Sequence, residues 1–125
     1  MIYGIGVDTV EIHRINAMQN QEAFAEKILS SEELKLLKTK NSAQVASFLA
    51  KQFAAKEAVV KALGKGFQEN MFPRDISVLR SQDGCPRLVF SNNLQKRLND
   101  LGIVSWHVSL ADERTHAIAM VVFET

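Results

Sequence analysis

IVSWHVSLADERTHAIAMVVFE, residues 103–124, holds two β-rich runs, 103–111 and 116–124, around the polar turn Asp112–Thr115. Close in sequence and joined by a short polar turn, they read as antiparallel neighbours. Their apolar residues fall on both parities. Val104, Trp106 and Val108 line the first run, Ile118, Met120 and Val122 the second, and Val121 and Phe123 lie between. Strands that are apolar on both sides need cover on both faces. The rest of the chain must supply helices for one face, and something further for the other.

Upstream of this pair the chain alternates strand and helix signals. DISVLRS (75–81) and PRLVF (86–90) read as strands joined at Asp83-Gly84, a hairpin turn signal. SNNLQKRLNDLG (91–102) reads as a capped helix with Leu94, Leu98 and Leu101 on one side and Gly102 at its end. MIYGIGVD (1–8) alternates apolar residues and predicts a strand ending at Asp8. Residues 10–29 carry helical spacing, broken near Gln19–Gln21. Ser30 and Glu33 have the spacing of a capping box, which predicts a helix over 31–39. Asn41 and Ser42 cap a long helix that runs to Leu63 and stops at Gly64. The order predicts one α+β domain over residues 1–125, a mostly antiparallel sheet with helices packed on one face.

Composition narrows the function. The chain has 125 residues with 46% hydrophobic and 23% charged, and its 15 basic and 14 acidic residues nearly cancel. That balance points away from nucleic acid and membranes as partners. The single cysteine, Cys85, excludes an intrachain disulfide and a metal site of clustered cysteines. With no signal-peptide pattern and no membrane-spanning run, the expected address is cytoplasmic.

The charges of interest are local. FAAKEAVVKAL (53–63) sets Lys56, Glu57 and Lys61 among apolar residues. On a helical wheel Val45, Phe48, Leu49, Phe53, Val59, Val60 and Leu63 share one arc. Glu57 and Lys61 lie opposite, among Ala43, Ala46, Ala50, Ala54 and Ala58, which predicts room for something to lie against the helix. The ordinary reading is a surface i,i+4 pair worth about 0.2–0.5 kcal/mol. Lys56 falls in the apolar arc, so it must snorkel or reach a buried anion. Asp8 is ordinarily a helix cap, with Gly4 and Gly6 before it allowing close backbone approach. Were Asp8 and Glu57 to converge, two carboxylates with water and phosphate oxygens would suit Mg²⁺.

GIGVDTVEIHRI (4–15), FAAKEAVVKALGKG (53–66) and WHVSLADERTHAIAMVV (106–122) together resemble the holo-acyl-carrier-protein synthases of the AcpS type, small 4'-phosphopantetheinyl transferases. The resemblance covers the whole chain in order, and the paired G-x-D and F-A-A-K-E-A-x-x-K-A signatures are specific. It implies the 4'-phosphopantetheinyl transferase fold. It also implies transfer of the phosphopantetheine arm of coenzyme A to a serine of apo acyl carrier protein, for fatty acid biosynthesis, releasing adenosine 3',5'-bisphosphate. Members are similar in forming homotrimers with sites at subunit interfaces. By motif match, Asp8 and Glu57 would hold Mg²⁺, Lys61 would contact the transferred phosphate, and His107 would stand near the 3'-phosphate. Glu57 is also the nearest candidate general base, and Arg14 and Met18 match a carrier-docking surface on the first helix.

The chain departs from the pattern in two places. Family members often have Arg at the position of Gln52, and a basic pair at Ala43 and Gln44. Lys51 is the expected substitute at the 3'-phosphate, with Lys40 and Lys65 as further candidates. Residues 19–22 lack the basic character of the docking helix. Two other readings use the same residues: a different Mg²⁺-dependent phosphotransferase or nucleotide hydrolase, and a non-catalytic interaction domain. The identity of the carrier proteins and the acceptance of acyl-coenzyme A are not legible.

Overall fold

The computed structural model describes residues 1–64, 67 and 71–125. In chain order the elements are β1 (Ile2–Glu11), α1 (Ile12–Asn16), α2 (Gln21–Ile28), α3 (Ser31–Leu37), α4 (Ser42–Leu63), β2 (Ile76–Arg80), β3 (Pro86–Phe90), α5 (Asn92–Asp100), β4 (Ser105–Asp112) and β5 (His116–Glu124). The α+β expectation holds, but the strands form two sheets. One has the order β1-β5-β4, and the other is the β2-β3 hairpin. The pairs in both are antiparallel. Trp106 on β4 joins the sheets: its Nε1 donates to the Leu88 carbonyl at 3.1 Å, and its ring meets Phe90 edge-on at 5.1 Å.

β1 runs past the expected end. Thr9, Val10 and Glu11 continue to pair with Ile118, Ala117 and His116. Asp8 therefore sits inside an edge strand, not at its tip. Nor does it cap a helix, because the residue before α1 is Glu11.

α4 forms for the expected reasons. Asn41 and Gln44 make a reciprocal capping box, and Gly64 ends the helix at φ 80°. The alanine stripe is corrected by the structure. Ala46, Ala50, Ala54 and Ala58 are buried, and what lies against the helix is the chain's own sheet, chiefly β1 and β5. Gly4 and Gly6 make this approach possible. A Cβ on Gly4 would stand 2.0 Å from the Ala62 carbonyl oxygen, and one on Gly6 would stand 1.9 Å from that of Ala58.

The opposite side of α4 answers the Lys56 question. Lys56 and Glu33 are both fully buried, with Nζ 2.7 Å from Oε1. Lys56 also donates to the carbonyls of Pro73 and Ile76. Glu33 accepts from the backbone of Ser30 and Val78 and from the Gln52 amide, which also reaches the Val78 carbonyl. One carboxylate thus ties α3, α4 and β2 together. Burial pushes the Lys56 ammonium below its ordinary pKa, and Glu33 opposes that shift. Removing one member of such a pair leaves a buried charge, so Lys56→Met should cost about 3–5 kcal/mol in urea unfolding. A loss under about 1 kcal/mol would refute the clamp.

α4 covers one face of the three-stranded sheet, whereas α3 and α5 pack against β2 and β3. The other face is bare and apolar: Ile5, Val7, Ile118 and Met120 are each more than two-fifths exposed. Cross-strand partners Val7↔Met120 and Thr9↔Ile118 place them side by side.

Candidate active site

Asp8, Glu57 and Lys61 converge where β1 meets α4. Asp8 faces inward from β1, because even-numbered positions of that strand turn toward the helix. Glu57 and Lys61 are one turn apart on α4. The lysine's ion pair is made with the strand and not with its helix neighbour. Lys61 Nζ lies 2.9 Å from Asp8 Oδ1 and 3.1 Å from the Val7 carbonyl oxygen. A free carbonyl is to be expected on an edge strand.

The two carboxylates sense each other. Burial pushes Glu57 above its ordinary pKa, Asp8 pushes it further, and Lys61 partly offsets both. Two acids and one ammonium leave a net negative charge at the sheet edge. Both are hard oxygen donors. No group of three or more His, Cys, Asp or Glu that could hold a metal occurs among the described residues. A cation here would draw two ligands from the protein and the rest from water or phosphate, which is the usual manner of Mg²⁺.

Other expected site residues lie elsewhere in the chain. His107 is on β4, and its register with Val122 and Ile5 puts it on the bare outer face, away from Asp8. Its Nε2 is 2.8 Å from Glu124 Oε2, and that contact, with one from Ser105, holds the Glu124 carboxyl below its usual range. Lys51 pairs with Asp112 at 3.5 Å, beside a Ser47–Asp112 hydrogen bond. Both belong to a surface cleft that Lys40 and Gln44 also line. Lys40 lies over the Phe48 ring. Gln52 is buried against Glu33, so it does not face a solvent-borne phosphate. Gln44 serves the α4 cap. Arg14 is exposed on α1, whereas Met18 is half-buried against the core. Lys65 lies outside the described residues.

Sequence reasoning missed Glu33, Asp112 and Glu124 as partners. Only Glu33 had carried a signal, that of the capping box, and the box says nothing of Lys56. No helix is long and apolar enough to cross a membrane among the described residues.

Comparison with known proteins points to one family. The profile of the 4'-phosphopantetheinyl transferase superfamily matches residues 4–121. A holo-[acyl-carrier-protein] synthase of Hydrogenovibrio crunogenus is 39% identical over 127 residues, spanning 100% of this chain and 98% of the relative. The crystal structure of the holo-[acyl-carrier-protein] synthase from Neisseria meningitidis matches with a TM-score of 0.93 at 37% identity, covering 100% of both chains. That of a holo-(acyl-carrier-protein) synthase from Bacillus anthracis, in complex with CoA (3',5'-ADP), matches with a TM-score of 0.85 at 34% identity, covering 100% of this chain and 98% of that one.

Proposed function

The chain belongs to the 4'-phosphopantetheinyl transferase superfamily, and from that premise we propose that it works as a holo-[acyl-carrier-protein] synthase. It moves the 4'-phosphopantetheine arm of coenzyme A to a serine hydroxyl of apo acyl carrier protein and releases adenosine 3',5'-bisphosphate. The holo carrier then serves fatty acid biosynthesis, with the cytoplasm as the working address. The observation that carries the reading is the meeting of Asp8, Glu57 and Lys61 at the junction of β1 and α4. Intact-mass analysis of apo carrier protein, incubated with this protein, coenzyme A and Mg²⁺, tests it. A gain of one phosphopantetheine is expected, and an unchanged mass over hours would refute it.

Phosphoryl transfer to an alcohol depends on placement and on neutralising charge. Mg²⁺ held by Asp8 and Glu57 would supply the neutralisation on the diphosphate. Lys61 adds a point charge to a phosphate oxygen. Glu57, directly or through a bound water, is the candidate acceptor of the serine proton. Lys51 and His107 bind the nucleotide end, and Arg14 and Met18 meet the carrier protein.

The assembly proposed is a homotrimer. Asp8 lies at the β1 edge on the helix side, and His107 lies on β4 at the other edge, on the bare face. A second chain is therefore needed to bring a His107 to this Asp8, and a head-to-tail contact that closes into a ring would supply one for every site. The apolar residues Ile5, Val7, Ile118 and Met120 then find cover. Sedimentation at micromolar concentration should give three chains. A monomer would remove both the trimer and the shared site.

A further inference from the structure

Lys61 occupies a position that a metal ion would also seek. Its ammonium rests on Asp8 Oδ1 at 2.9 Å, with the Val7 carbonyl as a second anchor at 3.1 Å. We infer that in the ligand-free protein Lys61 is a resident cation on Asp8, and that it leaves this carboxylate when a divalent ion arrives with the diphosphate. The inference rests on the proposed metal site and specifies how that site is guarded.

Three observations support it. First, the two partners differ in freedom. The Lys61 side chain is 53% exposed and the Asp8 side chain 16%. The lysine can swing by changing rotamers, whereas the acid is held by strand and helix. Secondly, the second anchor is easily given up. A carbonyl on an exposed edge can accept from water once the ammonium leaves, so no buried acceptor is left unsatisfied. Thirdly, the charges balance only by exchange. Asp8 and Glu57 are like charges at one site, and Lys61, 2.9 Å from Asp8, relieves their repulsion in part. An ion entering beside an unmoved ammonium would face that charge at close range. Once Lys61 turns outward, the same ammonium meets the diphosphate that comes with the ion. Ion and nucleotide are therefore coupled through Lys61, beyond the direct attraction between them, and such coupling is reciprocal.

Mn²⁺ alone, followed by the electron paramagnetic resonance signal of the free ion, is a suitable probe. The full chain is compared with Lys61→Met, Asp8→Asn and the double variant, without nucleotide. Lys61→Met should bind Mn²⁺ about tenfold more tightly than the unaltered chain, within the usual range of such couplings. In the Asp8→Asn background the same substitution should change affinity by less than about twofold, as the cycle requires when one interaction is being removed. With coenzyme A added, Lys61→Met should bind the nucleotide more weakly, though it holds the ion better.

No gain in Lys61→Met overturns the inference, and so does an absence of saturable binding by that variant. An equal gain in the Asp8→Asn background also overturns it, since the lysine would then act only through its general field. The proposed metal site fails separately, if Asp8→Asn and Glu57→Gln leave Mn²⁺ binding in the presence of coenzyme A unchanged.

Discussion

Asp8→Asn and Glu57→Gln will each lower transfer turnover by about 10²–10³-fold or more, the scale on which a group that stabilises transition-state charge is missed. Their stabilities will move in opposite directions. Asp8→Asn loses the ion pair with Lys61, a half-exposed contact of about 0–1 kcal/mol, so its melting temperature falls slightly. Glu57→Gln gains stability at neutral pH. The folded chain holds the Glu57 proton more tightly than the unfolded chain does, because of burial and of Asp8. Such a group costs stability above its folded pKa, where it is ionised in both states. The cost fades as pH falls through the folded pKa toward the unfolded value of about 4.3. The Glu57→Gln melting temperature should therefore exceed that of the unaltered chain at pH 7.5, and the two should draw together near pH 4. Transfer rates by intact mass, beside melting curves at both pH values, decide the matter. Near-normal turnover in either variant would remove these acids from the chemistry. A lower melting temperature for Glu57→Gln at pH 7.5 would show that the carboxylate has a partner that outweighs its burial.

Much of this site was legible along the chain, and the parts that were not share a cause. Local signals read well. The Ser30–Glu33 box, the Asn41 cap and the Gly64 stop all stand where the residue types put them, because each depends on neighbours within four positions. The β1 boundary did not, because Thr9, Val10 and Glu11 are held in the strand by β5, more than a hundred residues away. The alanine stripe was correctly placed on one side of α4 but wrongly left open. Small residues signal close approach without naming the partner, which proved to be the glycine face of β1. Family likeness supplied the joining of Asp8 to the α4 pair, which spacing cannot. His107 shows the limit of that likeness: within one chain its neighbour is Glu124, and its proposed role depends on a second subunit.

Gly6→Ala should damage both fold and catalysis, although glycine and alanine differ by one methyl group. A Cβ at this position would lie 1.9 Å from the Ala58 carbonyl oxygen, 2.7 Å from the Ala62 nitrogen and 2.9 Å from the Ala58 carbonyl carbon. All three are helix backbone atoms, joined to the rest of α4 by its hydrogen bonds. No side chain can turn aside to make room, so the helix must move as a unit. Two features resist the movement: the alanines packed on β1 and β5, and Lys56 on the far side, fixed to Glu33 and to the carbonyls of Pro73 and Ile76. Overpacking of this kind costs about 1–3 kcal/mol and occasionally more. The same shift carries Glu57 and Lys61 away from Asp8, and a misplacement of about 1 Å can lower turnover by about 10²-fold. Ala58→Gly in the same chain should not restore either property, because the contact is with the carbonyl and not with the methyl group. Gly102→Ala is the control. Nothing lies within 4 Å of its Cβ, and its φ of 77° confines the penalty to local backbone strain, about 1–2 kcal/mol with turnover unchanged. If Gly6→Ala melts like the unaltered chain, the close approach of β1 to α4 is not what sets the helix in place. If it loses stability but keeps full turnover, that approach does not set the spacing of Asp8, Glu57 and Lys61.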